Sequence, residues 1–186
     1  MTDVIRVLGI PGSLRAGSFN RMALRAAQAL APADMEIEVC EIRDIPMYDG
    51  DVEASTGLPD SVVAFREKIR AADAVLIATP EYNSSISGVL KNAIDWASRP
   101  PHQPFDAKPV AIFGASPGAT GTVRAQIHLR QVLANLNGLV LVQPNVLIGL
   151  AGQRFDATGT LTDEATKQFV TDMLVRLAAW TRTLKT

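Results

Sequence analysis

The chain has 186 residues, with 18 basic and 19 acidic side chains, two histidines, one cysteine and a formal charge of −1. That length buries a sizeable core without disulfides or a structural metal, and the near-neutral balance gives no electrostatic case for nucleic acid or an anionic membrane surface. A lone cysteine excludes an intrachain disulfide, and no apolar run approaches the length of a membrane span. The opening Met-Thr-Asp-Val-Ile-Arg-Val enters a strand pattern with no signal core, so the expected location is the cytoplasm. Partners are expected to be small molecules or other protein chains, with no nucleic acid and no membrane.

In chain order, the first strand is expected over Val4 to Ile10, followed by a glycine- and serine-rich turn and a helix from Asn20 to Ala31 that Pro32 closes. A second strand follows at Ile37 to Ile42, where Cys40 has a structural place because its acidic surroundings lack what a reactive thiol needs. Residues 44 to 51 read as an irregular connection. The helix from Ser61 to Ala72 carries Val62, Val63, Phe65, Ile69 and Ala72 at helical intervals, and Ala74 to Ala78 is a continuous apolar strand of the buried central type. Helix Gly88 to Ala97, strand Val110 to Ala115, helix Thr122 to Leu136, strand Leu139 to Val142 and helix Asp163 to Leu184 complete the series. The fifth strand has a further reading through Val146 to Ile148 after Pro144. Alternating β and α runs of this kind predict one α/β domain over residues 1–186, a five-stranded parallel sheet doubly wound with helices on both faces.

In such sheets a ligand sits beyond the carboxyl ends of the strands, where the strand order reverses. Three expected strands end there in polar, unusual turns. The first loop runs Gly12-Ser13-Leu14-Arg15-Ala16-Gly17-Ser18-Phe19-Asn20, the third strand ends in Thr79-Pro80-Glu81-Tyr82-Asn83-Ser84-Ser85, and the fourth in Ser116-Pro117-Gly118-Ala119-Thr120-Gly121-Thr122. In the first loop two glycines allow close approach, short hydroxyls and Arg15 offer donors, and the helix behind favours an anion. Glycines 9, 12 and 17 do not match the dinucleotide spacing, and Ser18 stands where a P-loop has lysine. The loop therefore suits a single terminal phosphate; the alternative is a serine-rich turn with Ser18 or Asn20 as an N-cap.

The first loop, together with Pro80-Glu81-Tyr82-Asn83 continuing through Gly88-Val89-Leu90-Lys91-Asn92-Ala93-Ile94-Asp95-Trp96, Ser116-Pro117-Gly118, Arg124-Ala125-Gln126 and Leu129-Arg130-Gln131, resembles the NADPH-dependent FMN reductase family, in particular its bacterial quinone and chromate reductase members. The resemblance implies a flavodoxin-like fold holding FMN without covalent attachment, with NADPH or NADH as electron donor. It implies electron transfer to quinones, flavins, azo dyes or oxidised metal ions by a ping-pong sequence. Carried over by residue, Ser13, Arg15, Ser18, Phe19 and Asn20 hold the FMN phosphate, Phe19 through its amide. Pro80, Glu81, Tyr82 and Asn83 form the flavin edge, and Ser116, Pro117 and Gly118 approach the ring or ribityl chain. No protein group is expected to be catalytic, because the chemistry lies on the flavin N5. Ser87 departs from the proline that many relatives place before the glycine, which removes that ring's rigidity from the helix entry, though a serine can still cap it. The family commonly forms dimers or dimers of dimers, which implies a homodimer or homotetramer through the Gly88 to Arg99 helix and the Arg124 to Gln131 segment.

Lys91, Asn92 and Asp95 look chemically rich, but an i, i+4 ion pair and an apolar helix face favour packing or subunit contact. His102 and His128 have no metal-ligand partner at a telling spacing. Arg99 and Arg124 are candidate cations for a 2′-phosphate. Competing readings are a flavodoxin-type electron carrier, which the near-neutral charge disfavours, and an NAD-binding protein with Glu41 as the ribose acid, which the glycine spacing disfavours.

Overall fold

The computed structural model describes residues 4–185; the reading made for Met1 to Asp3 lies outside them. Strands β1 (Ile5–Pro11), β2 (Met35–Val39), β3 (Ala74–Ala78), β4 (Pro109–Ala115), β5 (Leu139–Val140) and β6 (Val146–Ile148) alternate with helices α1 (Phe19–Ala29), α2 (Gly50–Thr56), α3 (Asp60–Ala71), α4 (Gly88–Ala97), α5 (Val123–Asn135) and α6 (Glu164–Lys185). The strands pair in parallel in the order β2-β1-β3-β4-β5, with β6 also on β4. This is the doubly wound, flavodoxin-like sheet expected.

Burial explains the order. All five residues of β3 and all seven of β4 are buried, as central strands covered on both faces must be. By contrast β2 alternates buried or half-buried Met35, Ile37 and Val39 with exposed Glu36 and Glu38, which suits an edge. One core cluster packs α1 and α6 on the sheet through Leu24, Leu76, Phe113 and Leu174. The other packs α3, α4 and α5 on the opposite face through Ile69, Ile77, Ile94 and Leu129.

Three expectations shift. Strand β2 starts and ends earlier than Ile37 to Ile42: Met35 N–H closes a turn onto the Pro32 carbonyl (2.9 Å), and pairing in register with β1 begins at Met35. Cys40 N–H still donates to the Gly9 carbonyl (2.8 Å), and the buried thiol is pushed up in pKa by desolvation. The irregular connection runs into α2, capped by the Asp49 carboxylate on Asp51 N–H (2.9 Å). Helix α2 buries none of its residues, so it has no apolar stripe to reveal it. The fifth strand is two short ones. β5 pairs with Pro109 and Val110 and β6 with Phe113 to Ala115, and Pro144, which has no N–H for the ladder, lies between them.

Candidate functional site

The loops after β1, β3 and β4 open at the carboxyl edge of the sheet, where the strand order reverses between β1 and β3. The first and third loops touch. Gly12 N–H donates to the Ala78 carbonyl (2.9 Å), and a Cβ at Gly12 would lie 2.8 Å from Pro80 Cδ and 3.1 Å from the Ala78 carbonyl, so this crossing admits only glycine. Ser87 reinforces it. Its hydroxyl donates to the Gly12 carbonyl (2.6 Å) and accepts from Leu90 N–H (3.2 Å), which caps α4 and ties it to the first loop. The departure from proline thus supplies a link that a proline ring lacks.

In the first loop Ser18 caps α1 by accepting from Asn20 N–H (3.2 Å), and Ser13 accepts from Arg15 N–H (3.4 Å). Both serines are buried, while Arg15, Ala16 and Gly17 are exposed. The Arg43 guanidinium holds the loop from outside by donating to the Leu14 carbonyl. Among the described residues the amides of Gly17 and Phe19 have no protein acceptor, and the first turn of α1 carries no acidic side chain. A Cβ at Gly17 would meet nothing within 4 Å. Unpaired amides, two hydroxyls, an exposed guanidinium and a helix N-terminus without a counter-charge fit the terminal phosphate of FMN. Asn20 contributes differently: its buried side chain donates to the Ala115 carbonyl (2.9 Å) and accepts from Ala115 N–H (2.8 Å), clipping α1 to the end of β4. Only its backbone faces the loop. The Phe19 ring packs against Phe155 at 5.9 Å between centroids, which leaves its amide for the loop.

The third loop is a tight hairpin. Tyr82 and Ser85 exchange both backbone hydrogen bonds (3.0 Å each), and Asn83 and Ser84 take positive φ values of 49° and 62°, the geometry of a type I′ turn. The turn presents Tyr82 half-exposed at its start. Glu81 points the other way, its carboxylate accepting from Arg124 N–H (2.9 Å), Ala125 N–H (3.2 Å) and Arg124 Nε (2.8 Å) at the N-terminus of α5. Desolvation pushes this carboxyl up, yet the backbone and guanidinium donors together hold it below the ordinary range. Only the Glu81 backbone therefore remains for a ligand.

The fourth loop is braced by a segment the sequence reading did not place in the site. Ser116 N–H donates to the Ile148 carbonyl, and Leu150 and Ala151 N–H donate to the carbonyls of Gly118 and Ser116 (3.0 Å each). Gly149 is the signal for this contact, since a Cβ there would sit 2.2 Å from the Ala119 carbonyl. Ser116 Oγ accepts from Gly118 N–H (3.1 Å), and Pro117 and Gly118 stay exposed.

Helix α4 is structural over most of its polar residues. Asn92 accepts from Tyr48 N–H (2.7 Å) and donates to the Pro46 carbonyl (2.8 Å), and the buried Trp96 indole donates to the same carbonyl (2.9 Å). These bonds fix the segment before α2, which carries an exposed Met47 to the rim of a cavity of about 510 Å³ shared with Arg15, Tyr82 and Val89. Lys91 and Asp95 pair at 2.7 Å along the exposed side of α4. Arg99 lies over the Tyr48 ring at 5.0 Å, Arg124 is held by Glu81, and Glu41 pairs with Arg21. The cations considered for a 2′-phosphate and the acid considered for a ribose thus already have protein partners. His128, which showed no signal in the sequence, stands at the hairpin with Nδ1 3.0 Å from the Ser85 hydroxyl.

A doubly wound parallel sheet with three polar loops at its switch point places the protein in the flavodoxin-like class of α/β folds. The family profile of NADPH-dependent FMN reductase matches residues 5–153. The chain is 55% identical over 185 residues to an NAD(P)H-dependent FMN reductase of Pseudomonas aeruginosa and 43% identical over 187 residues to a quinone reductase of Escherichia coli, each alignment covering 100% of both chains. Among solved structures it resembles FerB, a flavoenzyme NAD(P)H:(acceptor) oxidoreductase of Paracoccus denitrificans, with a TM-score of 0.87 and 36% identity over 97% of this chain and 98% of that one. The chain belongs to the NADPH-dependent FMN reductase family. Its class is therefore that of oxidoreductases using FMN and a reduced nicotinamide.

Proposed function

We propose that this protein takes electrons from NADPH or NADH and passes them to quinones and flavins, with chromate and azo dyes as incidental acceptors, inside the cytoplasm. One domain over residues 1–186 carries the whole site. The observation that carries this reading is the meeting of three loops at the switch point, the first with unpaired amides and the third and fourth with exposed Tyr82, Asn83, Pro117 and Gly118. Relatives named as quinone reductases support a small-molecule acceptor.

Ser13, Arg15, Ser18 and the Phe19 amide hold the FMN phosphate, and Asn20 shapes that cradle by bonding to Ser18 and Ala115. The segment Pro80, Glu81, Tyr82 and Asn83 meets the edge of the ring, with the amides of Glu81 and Asn83 free of protein acceptors among the described residues, and Ser116, Pro117 and Gly118 approach from the fourth loop. Bound there, FMN supplies hydride chemistry at its N5, and the protein supplies position and electrostatics. Donor and acceptor use the same open face in turn, so the oxidised nicotinamide leaves before the acceptor binds. Initial-rate plots at several acceptor concentrations should run parallel; intersecting lines, with product inhibition ruled out, would sink the ping-pong sequence.

The protein acts as a homodimer or homotetramer, supported by a groove of about 760 Å³ between α4 and α5 that joins Lys91, Asp95, Arg99 and His128 next to the hairpin. The test of the function is the visible spectrum of protein reconstituted with FMN, desalted, and titrated anaerobically with NADPH or NADH. A retained flavin band that bleaches at a catalytic rate is the expected result. A band that bleaches only with a chemical reductant would make the protein an electron carrier.

A further inference from the structure

Helix α5 touches the Tyr82 hairpin at both of its ends. At the start of the hairpin, the Glu81 carboxylate is nearly buried, 9% exposed, and takes two amides and the guanidinium from the first turn of α5. At its end, Ser85 is held by His128 one turn further along the same helix, with Nδ1 to Oγ at 3.0 Å. Arg124 and His128 are four residues apart and share one face of α5. Between these anchors the chain is left with Tyr82, Asn83 and Ser84, all exposed, two of them in left-handed backbone that a free loop would leave readily.

We infer that His128 is a positioning residue for the flavin edge: through Ser85 it fixes the turn whose backbone meets the isoalloxazine, and with Glu81 it makes α5 the frame on which that turn is mounted. The inference rests on the reading of residues 80–83 as the ring-binding segment. His128 itself touches no reacting atom. It also lines the groove between α4 and α5, so whatever occupies that groove meets the support of the hairpin directly.

The atom that matters is Nδ1, which makes the test specific. An asparagine places a polar atom where Nδ1 stands, whereas a glutamine places one nearer the position of Nε2. In apo protein, hydrogen exchange at the Tyr82 and Ser85 amides should quicken in His128→Ala and His128→Gln and stay near wild type in His128→Asn. FMN affinity, read by quenching of flavin fluorescence, should fall roughly three- to fivefold in the first two variants and recover in the third, the scale of one exposed hydrogen bond. The visible flavin band should shift in the same order. Unchanged exchange and affinity in His128→Ala, with normal FMN binding and turnover in the wild type, would overturn this inference and leave the proposed function standing. Equal losses in all three variants would also overturn it, since they would reflect packing and not the Nδ1 bond. A wild-type protein that retains no FMN would overturn both readings.

Discussion

Ser87 and Glu81 show how single side chains hold the site together from outside it. The Ser87 hydroxyl both caps α4 and satisfies the Gly12 carbonyl, so Ser87→Ala removes two bonds from buried partners. The variant should lose about 1–2 kcal/mol of stability in urea unfolding, the scale of a lost N-cap. Ser87→Thr, which keeps the hydroxyl, should recover most of it. Glu81 gives a pH signature. Its carboxyl is held below its ordinary value of 4.5 in the folded chain, so its contribution is fully present above that value and is lost as pH falls through the lower folded value. Glu81→Gln should therefore be less stable than wild type at pH 7, and the gap should narrow steadily below about pH 4.5. A gap that stays constant down to pH 3 would show that the carboxylate's charge is not what α5 requires. The sequence marked both residues, and Ser87 as able to cap α4, without the distant partners that each one holds. Their partners, Gly12 and Arg124, are 75 and 43 residues away and become neighbours only when the sheet is assembled.

The three loops were legible as elements because their composition is unlike that of the apolar strands they follow, and the rule for open parallel sheets then placed them together. Their internal geometry was less legible. Asn83-Ser84 takes the type I′ turn without the glycine that usually marks it, and α2 is exposed throughout, so periodicity had nothing to register. The Asn20 clip to Ala115 was equally hidden, since an asparagine at a helix start reads the same whether it faces a ligand or a neighbouring strand. The two glycines of the first loop separate fold from function. At Gly12 a methyl would run into Pro80 and the Ala78 carbonyl, which are backbone-fixed, so Gly12→Ala should lower the melting temperature by several degrees, as overpacking of about 1–3 kcal/mol does. At Gly17 a methyl enters open space, so Gly17→Ala should melt within about a degree of wild type. If the FMN phosphate lies against that backbone, the same variant should bind FMN at least fivefold more weakly. Calorimetry and flavin fluorescence on the pair distinguish a structural glycine from a ligand-facing one, and a stable Gly17→Ala with wild-type FMN affinity would move the phosphate away from this stretch of the loop.

At the scale of the molecule, the doubly wound parallel sheet followed from the alternation of apolar and helical runs, while a face for contact between copies came only from the resemblance, which pointed to the Gly88 to Arg99 helix and the Arg124 to Gln131 segment. An apolar residue on a helix reads as core until the fold shows which side faces the sheet. Ile127 is such a residue: it sits on α5 between buried Gln126 and exposed His128, is 60% exposed, and projects from the same helix that frames the hairpin. Its neighbour His128 and Gln131 one turn on line the groove of about 760 Å³, so a partner seated over that groove would have Ile127 within the helix that it meets. The cations on that side, Arg124 and Arg99, already have protein partners, so a partner meeting this face would do so through shape and neutral contacts more than through unpaired charge. Sedimentation equilibrium should accordingly give a dimer or tetramer for the wild type. Ile127→Glu buries a charge in any such contact and should shift the protein towards monomer at micromolar concentration, without lowering the melting point of the isolated subunit. FMN retention should fall in step with dissociation if the α4 and α5 surfaces support the hairpin from the partner's side. A wild-type monomer, or an Ile127→Glu protein that sediments as the wild type does, would place any contact between copies on another face.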